Sequence, residues 1–209
     1  DTAPVAYKAN LTVGKSGCDY TTVGDAVSAI RRMERPSGER VTVSIQPGNY
    51  EEMLVVDTPN VSLVNASATP STAITGKGVD IDPNAVRITW YYGHGYNYYS
   101  MGEDCKYNAE LLAVNKENGR ESFTNPGAGT TKGSYWNSSV VISASGFEAK
   151  GIIFENSFNQ YVSPKSLEDV IVNNGGAKEG KTPRSELKTA GDTSVQDKTY
   201  VERAGALAI

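Results

Sequence analysis

The sequence predicts an all-β chain whose strands wind into a parallel β-helix, a solenoid, with one α-helix capping its N-terminal end and long loops. The predicted strands are short, rich in Val and Ile, and separated by turns of Gly, Pro and Asn. Only one helical pattern is convincing, which argues against alternating βαβ units. A sandwich or a barrel would also suit short strands. The spacing between strands is uneven, however, and residues 93–133 and 157–200 lack periodicity, which favours a solenoid because each coil can extend one loop without disturbing the stacked strands.

The capping helix is predicted within residues 21–33, where apolar side chains recur at helical spacing. Thr22, followed three residues later by Asp25, resembles a capping box with Asp in the place of the usual Glu. Pro36 then ends the helix. In a solenoid, such an amphipathic helix would cover the open end of the first coil.

After the helix, the apolar pattern switches to the alternation of strands. Strands are predicted at residues 41–45, 53–56, 61–64, 85–90, 140–143, 151–154 and 204–209, with a turn at 46–49. The last of these strands ends apolar at Ile209, whereas a solenoid needs a cap over its final layer. We therefore expect residues 1–209 to be the N-terminal part of a single β-helix domain, completed by a C-terminal segment or a second chain. A short strand that pairs inside the fold is the alternative.

Composition excludes several functional classes. No apolar run approaches the roughly 20 residues of a membrane helix, so no membrane span is expected. The net charge of −4 provides no basic excess for nucleic acid. One histidine and two cysteines are too few for a structural zinc site, and phosphate-binding and metal motifs do not occur, so no cofactor or metal is expected. Cys18 and Cys105 could form one disulfide or remain two free thiols.

The densest cluster of candidate binding residues is residues 90–99, where six of ten side chains are aromatic. Trp and Tyr present an apolar face and a polar tip, which suits sugar rings, and Trp90 and Tyr96 are the predicted contacts. A loop packed over the side of the solenoid is the alternative, and the two are compatible. His94 is the only histidine and has no accompanying nucleophile motif, so no catalytic base is predicted there.

Five segments, taken in order, resemble the pectinesterase (pectin methylesterase) family. Residues 14–27 resemble its opening "DGSGDYTTVQDAV", 41–52 resemble "IYIKPGVYEE", 59–64 resemble "KPNVTLIG", 139–156 resemble "ATVAVVGDGFLAKDITFEN" and 202–208 resemble "QAVALR". The long aromatic and charged loops look more like the bacterial branch than the plant enzymes.

The resemblance implies a right-handed, single-stranded parallel β-helix, secreted from the cell, that de-esterifies methylated homogalacturonan (pectin). In the family, one aspartate attacks the methyl ester carbonyl, a second is the general acid/base, and glutamines form the oxyanion hole. Those aspartates lie in "QDTL" and "DFIFG" motifs downstream of "QAVAL", and neither motif occurs in this sequence. No catalytic residue is therefore identified in this chain, and the isolated chain is expected to be inactive.

The resemblance also implies three substrate-binding positions. The glutamine that opens "QAVAL" aligns with Arg203, or with Glu202 after a slip of one residue. A substrate-contacting threonine of the family aligns near Tyr135, so Tyr135 and Trp136 are expected to flank a galacturonate subsite, with strand closure and packing as the alternative.

Two other functions suit the same sequence. One is a non-catalytic, adhesin-like β-helix that binds carbohydrate. The other is a β-helix pectate lyase, which typically needs an aspartate cluster for calcium, and the sequence shows no convincing cluster.

Overall fold

The computed structural model describes residues 3–91, 138–158, 160–168, 170–172, 181–183, 189–194 and 205–209. These residues form mostly β-strands with few, short helices. Among them, no helix is long and apolar enough to cross a bilayer.

The strands are β1 (Asn10–Val13), β2 (Val41–Ile45), β3 (Gly48–Glu51), β4 (Leu54–Val56), β5 (Val61–Asn65), β6 (Ile74–Thr75), β7 (Asp80–Ile81), β8 (Val86–Trp90), β9 (Val140–Ile142), β10 (Glu148–Lys150), β11 (Ile152–Asn156), β12 (Val170–Val172), β13 (Lys181–Pro183) and β14 (Leu207–Ala208). Within the described ranges, the helices are α1 (Val23–Arg31) and α2 (Pro164–Leu167), and a 3₁₀ turn spans Gly76–Gly78.

Three parallel sheets carry most of these strands. Their orders are β1-β2-β5-β10, β3-β8-β11 and β4-β9-β14. Along the chain, β2-β3-β4, then β5-β8-β9, then β10-β11-β14 visit the three sheets in the same order. The antiparallel pair β6–β7 is inserted between β5 and β8, and the pair β12–β13 between β11 and β14. The predicted parallel strands are therefore present, whereas the predicted loop at 93–133 lies outside the described residues.

One apolar cluster draws side chains from all three sheets and from α1. In β2, Val41, Val43 and Ile45 are fully buried while the residues between them are partly exposed, which is the predicted alternation. The parallel register places Val43 beside Leu63 and beside Leu11, so the inward-facing side chains of neighbouring strands lie next to each other. Each such burial stabilises the fold by roughly 1.5–3 kcal/mol.

Helix α1 packs on β1, β2 and β4 through Ala26, Val27 and Ile30. The predicted N-cap is confirmed, because the Thr22 hydroxyl accepts a hydrogen bond from the Asp25 amide at 3.1 Å. The strands that α1 contacts include β1 and β4, which are end strands of their sheets. The helix therefore packs against the end strands of two of the three parallel sheets.

A second cap on α1 comes from a distant part of the chain. Oε1 of Glu52 accepts the amides of Val23 at 2.8 Å and Gly24 at 3.1 Å. Burial raises the pKa of Glu52 to about 7, although the two amides oppose the shift and Asp25 adds to it. This carboxylate thus satisfies two helix N–H groups that the local sequence leaves without a partner.

Three predictions of secondary structure were wrong in detail. The turn predicted at 46–49 is shorter, because β3 begins at Gly48 and pairs with β8. Within residues 205–209, the last strand spans only Leu207–Ala208. The stretch 157–200, predicted without elements, contains α2 and the pair β12–β13, which are too short to produce a periodic pattern.

We expect Glu52→Gln to change how stability depends on pH. The folded pKa of Glu52, about 7, lies above its ordinary value of 4.5, so the stability that its protonated form contributes is lost as pH rises through 7. Glutamine keeps an acceptor for both amides but cannot ionise. Between pH 5 and pH 8 the wild type should lose on the order of 2 kcal/mol of unfolding free energy relative to the variant.

Urea denaturation of both proteins at pH 5, 6, 7 and 8 measures this difference. Glu34→Gln, at an exposed glutamate, is the matched control. A constant difference between wild type and Glu52→Gln across that range would contradict the raised pKa.

Candidate functional site

The outer face of the β3-β8-β11 sheet carries a cluster of polar side chains. Strand alternation directs one set of residues toward the apolar core, including Tyr50, Ile88 and Phe154, which share one register row. The neighbouring rows are Asn49–Arg87–Ile153 and Glu51–Thr89–Glu155. Because Arg87 and Glu155 lie on adjacent strands two positions apart, their charged groups can meet.

Arg87 is the centre of this cluster and is only 3% exposed. Its Nε donates to Oδ1 of Asn49 at 2.6 Å. Nη1 donates to the Gly78 carbonyl at 2.6 Å and to Oε2 of Glu155 at 3.2 Å, and Nη2 donates to the Val79 carbonyl at 2.8 Å. The buried guanidinium therefore ties the loop before β7 to two strands of the sheet.

Glu155 completes the network with two further donors. Its Oε1 accepts from the Thr89 hydroxyl at 2.9 Å and from the Tyr161 hydroxyl at 2.6 Å. The ring centroid of Tyr161 lies 5.4 Å from the Arg87 guanidinium, within cation–π range. Burial, followed by the hydrogen bond to Glu155, raises the pKa of Tyr161, so the phenol stays protonated and donates. Both Glu155 oxygens are thus engaged in holding the fold.

Glu51 lies on the other side of Thr89 in the same row. Its Oε2 accepts the Lys165 amide at 3.1 Å, at the start of α2. Its Oε1 is buried and has no hydrogen-bond partner among the described residues. Burial raises the pKa of Glu51, and the Ser163 side chain, followed by Lys165, opposes the shift. Glu51 and Glu155 are separated by one strand, so their Cα atoms lie about 10 Å apart.

A cavity of about 300 Å³ lies between this sheet face and the chain that covers it. Its lining residues are Asn49, Val79, Arg87, Tyr161, Val162, Ser163, Pro164, Ala190 and Gly191. Two backbone hydrogen bonds join the covering segments: the Val162 amide donates to the Asp192 carbonyl at 3.0 Å, and the Gly191 amide to the Val162 carbonyl at 2.8 Å. Apolar walls with a few polar groups are typical of small-molecule sites.

The sequence pattern does not predict this site. No carboxylate pair has a sequence spacing that identifies a catalytic acid/base dyad. Glu51 and Glu155 are 104 residues apart in the sequence, and the fold places them on either side of Thr89. A signal was nevertheless present, since Arg87 and Glu155 are the charged residues of two strands that are otherwise rich in apolar residues. Buried charges in such positions are usually paired.

Of the five predicted binding residues, the structure describes one. Trp90 ends β8, is partly buried, and its ring centroid lies 4.6 Å from that of Tyr91. Tyr91 also packs with Met53 and Phe158. Packing, one of the two roles considered, is therefore observed for Trp90. Tyr96, Tyr135, Trp136 and Arg203 lie outside the described residues, as do His94 and Cys105, so their roles stay predictions.

The outer face of the β4-β9-β14 sheet is apolar where it is described. Val55 and Val141 share a register row with Ala208 and are nearly fully buried. This is the sheet that receives the end of the segment resembling "QAVALR". Across the described ranges, no group of three or more His, Cys, Asp or Glu could hold a metal ion.

Comparison with known proteins gives no match to a family model and none to a curated protein sequence. Among solved structures, the deglycosylated pectin methylesterase from Aspergillus niger is 21% identical with a TM-score of 0.41, covering 76% of this chain and 38% of that one. A pectin methylesterase in complex with a hexasaccharide is 18% identical with a TM-score of 0.43. The pectin methylesterase of Erwinia chrysanthemi is 20% identical with a TM-score of 0.42. For these last two, the coverage is 85% of this chain and 37% of the other, so the chain spans well under half the length of the structures it resembles.

Replacing Arg87 with Met should strongly destabilise the protein. The substitution leaves the Glu155 carboxylate buried without its cation and frees two backbone carbonyls, and breaking a buried pair typically costs 3–5 kcal/mol. Lys165→Met is the control, since Lys165 and its partner Glu168 are largely exposed and such pairs contribute roughly 0–1 kcal/mol. Urea denaturation of both variants measures the two losses, and equal losses would show that the Arg87 network is not a structural clamp.

Proposed function

We propose that this chain is the N-terminal part of a secreted, bacterial-type pectinesterase that de-esterifies methylated homogalacturonan. The observation that carries the proposal is the path of the chain. Residues 41–52 supply β2 and β3, residues 139–156 supply β9, β10 and β11, and residues 202–208 run into β14. The segments that resemble the family thus follow one another along the repeated order of the three sheets.

We further propose that the three parallel sheets are the faces of a right-handed, single-stranded β-helix. Three passes of the chain in one cyclic order support this architecture. Crossovers between parallel strands of one sheet are right-handed in about 98% of cases, which supports the hand. Helix α1, packed on β1 and β4, then serves as the N-terminal cap of the solenoid.

The proposed chemistry is carboxylic ester hydrolysis with an aspartate nucleophile. Attack on the methyl ester carbonyl releases methanol and forms an acyl-enzyme, which water then hydrolyses to the free uronate. Neither "QDTL" nor "DFIFG" occurs in these 209 residues, so we place both aspartates outside this chain. Arg203, four residues before β14, is proposed to donate toward the developing oxyanion.

The isolated 209-residue chain should release no methanol from highly methylated pectin above the uncatalysed background, because the proposed nucleophile is outside it. Methanol release can be followed by a coupled alcohol oxidase assay. The Erwinia chrysanthemi pectin methylesterase provides the positive control under the same conditions. Release by the isolated chain at an enzymic rate would contradict the proposal and direct attention to carboxylates within it, Glu51 first.

Tyr135→Ala and Trp136→Ala should each weaken binding of a methylated oligogalacturonide. Aromatic contacts contribute about 0.5–1.5 kcal/mol, so the dissociation constant should rise roughly 2- to 10-fold for each variant. Isothermal titration of the chain with the oligosaccharide measures this. Tyr7→Ala, near the N-terminus, is the matched control. Unchanged affinity in both test variants would assign Tyr135 and Trp136 to packing instead.

A further inference from the structure

The cavity beside Arg87 has unused hydrogen-bond donors. The four hydrogen bonds of the guanidinium leave one Nη2 N–H of Arg87 without a partner among the described residues. Asn49 is exposed, and among the described residues only its Oδ1 has a hydrogen-bond partner, which leaves both N–H groups of its amide for a ligand. The side-chain groups that remain for a ligand on this wall are therefore donors, and they require a hydrogen-bond acceptor.

The two cations at this cavity are each paired with a carboxylate before any ligand arrives. Arg87 is paired with Glu155 at 3.2 Å, and Lys165, next to the lining residue Pro164, is paired with Glu168 at 3.3 Å. A free carboxylate would find donors here but no net positive charge to offset its desolvation. A neutral acceptor, such as an ester or amide carbonyl, avoids that cost.

The remaining wall is apolar and the volume is small. Val79, Val162, Pro164 and Ala190 provide aliphatic surface beside the donors. A volume of about 300 Å³ is at the lower end of the range for ligand pockets, and it suits a single ring with one substituent. Donors beside aliphatic walls match a methyl ester, whose carbonyl oxygen accepts hydrogen bonds and whose methyl group packs against apolar surface.

We propose that this cavity is a binding site for one methyl-esterified galacturonate unit, separate from the site of hydrolysis. Its carbonyl oxygen accepts from Arg87 and Asn49, and its methyl group packs against Val79 and Val162. The choice of a uronate ester over other neutral esters rests on the proposed function. The cavity faces outward from the β3-β8-β11 sheet, whereas the "QAVALR" segment runs into the β4-β9-β14 sheet. Such a site would hold methylated pectin to the protein and release it as esters are removed.

The test is a titration of the ¹⁵N-labelled chain, followed by NMR, with the methyl ester of methyl α-galacturonoside and, separately, with the sodium salt of the free acid. We expect the ester to shift the Gly191 amide and the Asn49 side-chain amide, and to bind at least tenfold more tightly than the acid. Absence of these shifts, or equal or tighter binding of the acid, would overturn the proposal.

A cavity-filling variant, Ala190→Leu, and its control, Ala66→Leu, locate the binding without disturbing the Arg87 clamp. Ala190 is exposed at the cavity wall, so Ala190→Leu should fill the cavity and weaken ester binding at least tenfold. Ala66→Leu, at an exposed alanine that does not line the cavity, should leave binding unchanged. If Ala190→Leu and Ala66→Leu bind alike, the ester does not occupy this cavity.

The outcomes separate this inference from the proposed function. Ester binding at the cavity, with no methanol release from a longer chain that includes the aspartates, would support the site and contradict the esterase. Methanol release from that longer chain, with no shift at Gly191 or Asn49, would support the esterase and contradict the cavity site.

Discussion

In-register parallel pairing is the constraint on which the rest of this structure depends. In the three parallel sheets, neighbouring strands align so that their inward-facing residues lie side by side. Val43 therefore stacks on Leu63, and Ile88 lies between Tyr50 and Phe154. A slip of one residue would turn every inward side chain outward and expose the core. The same register that builds the core also places Arg87 beside Asn49 and near Glu155. The apolar core and the polar cluster therefore both depend on the same strand register.

Sequence alone predicts the elements whose pattern is local. The alternation of residues 41–45 and the helical spacing of 21–33 were sufficient for β2 and α1, because burial on one side imposes each period. Strand β3 was missed because Gly-Asn-Tyr-Glu has the composition of a turn and becomes a strand by pairing with β8. Glu52 was missed as a cap because it reaches Gly24 from 28 residues away. What local pattern cannot show is the partner that tertiary structure brings in.

The polar cluster is even harder to predict from local sequence pattern. Arg87 and Glu155 stand 68 residues apart, and nothing relates them until the register of β8 and β11 is known. Tyr161, which donates to Glu155, lies in a stretch without periodicity that the sequence analysis interpreted as loop. The predicted binding residues rest on side-chain chemistry and on a family resemblance. Neither depends on the register between strands. The sequence thus predicted much of the core and none of the Arg87 cluster.

A buried ion pair is weak evidence for stability by itself, since apolar residues of similar volume often serve as well. The Arg87–Glu155 pair does something that apolar residues could not, because the guanidinium holds the carbonyls of Gly78 and Val79 while Glu155 holds the Tyr161 hydroxyl. Those contacts fix two walls of the cavity relative to the sheet. They also leave the cation neutralised, with one N–H that has no partner in the part of the chain that the structure describes, which favours an uncharged acceptor over an anion. The clamp and the proposed ester site are therefore consequences of the same guanidinium.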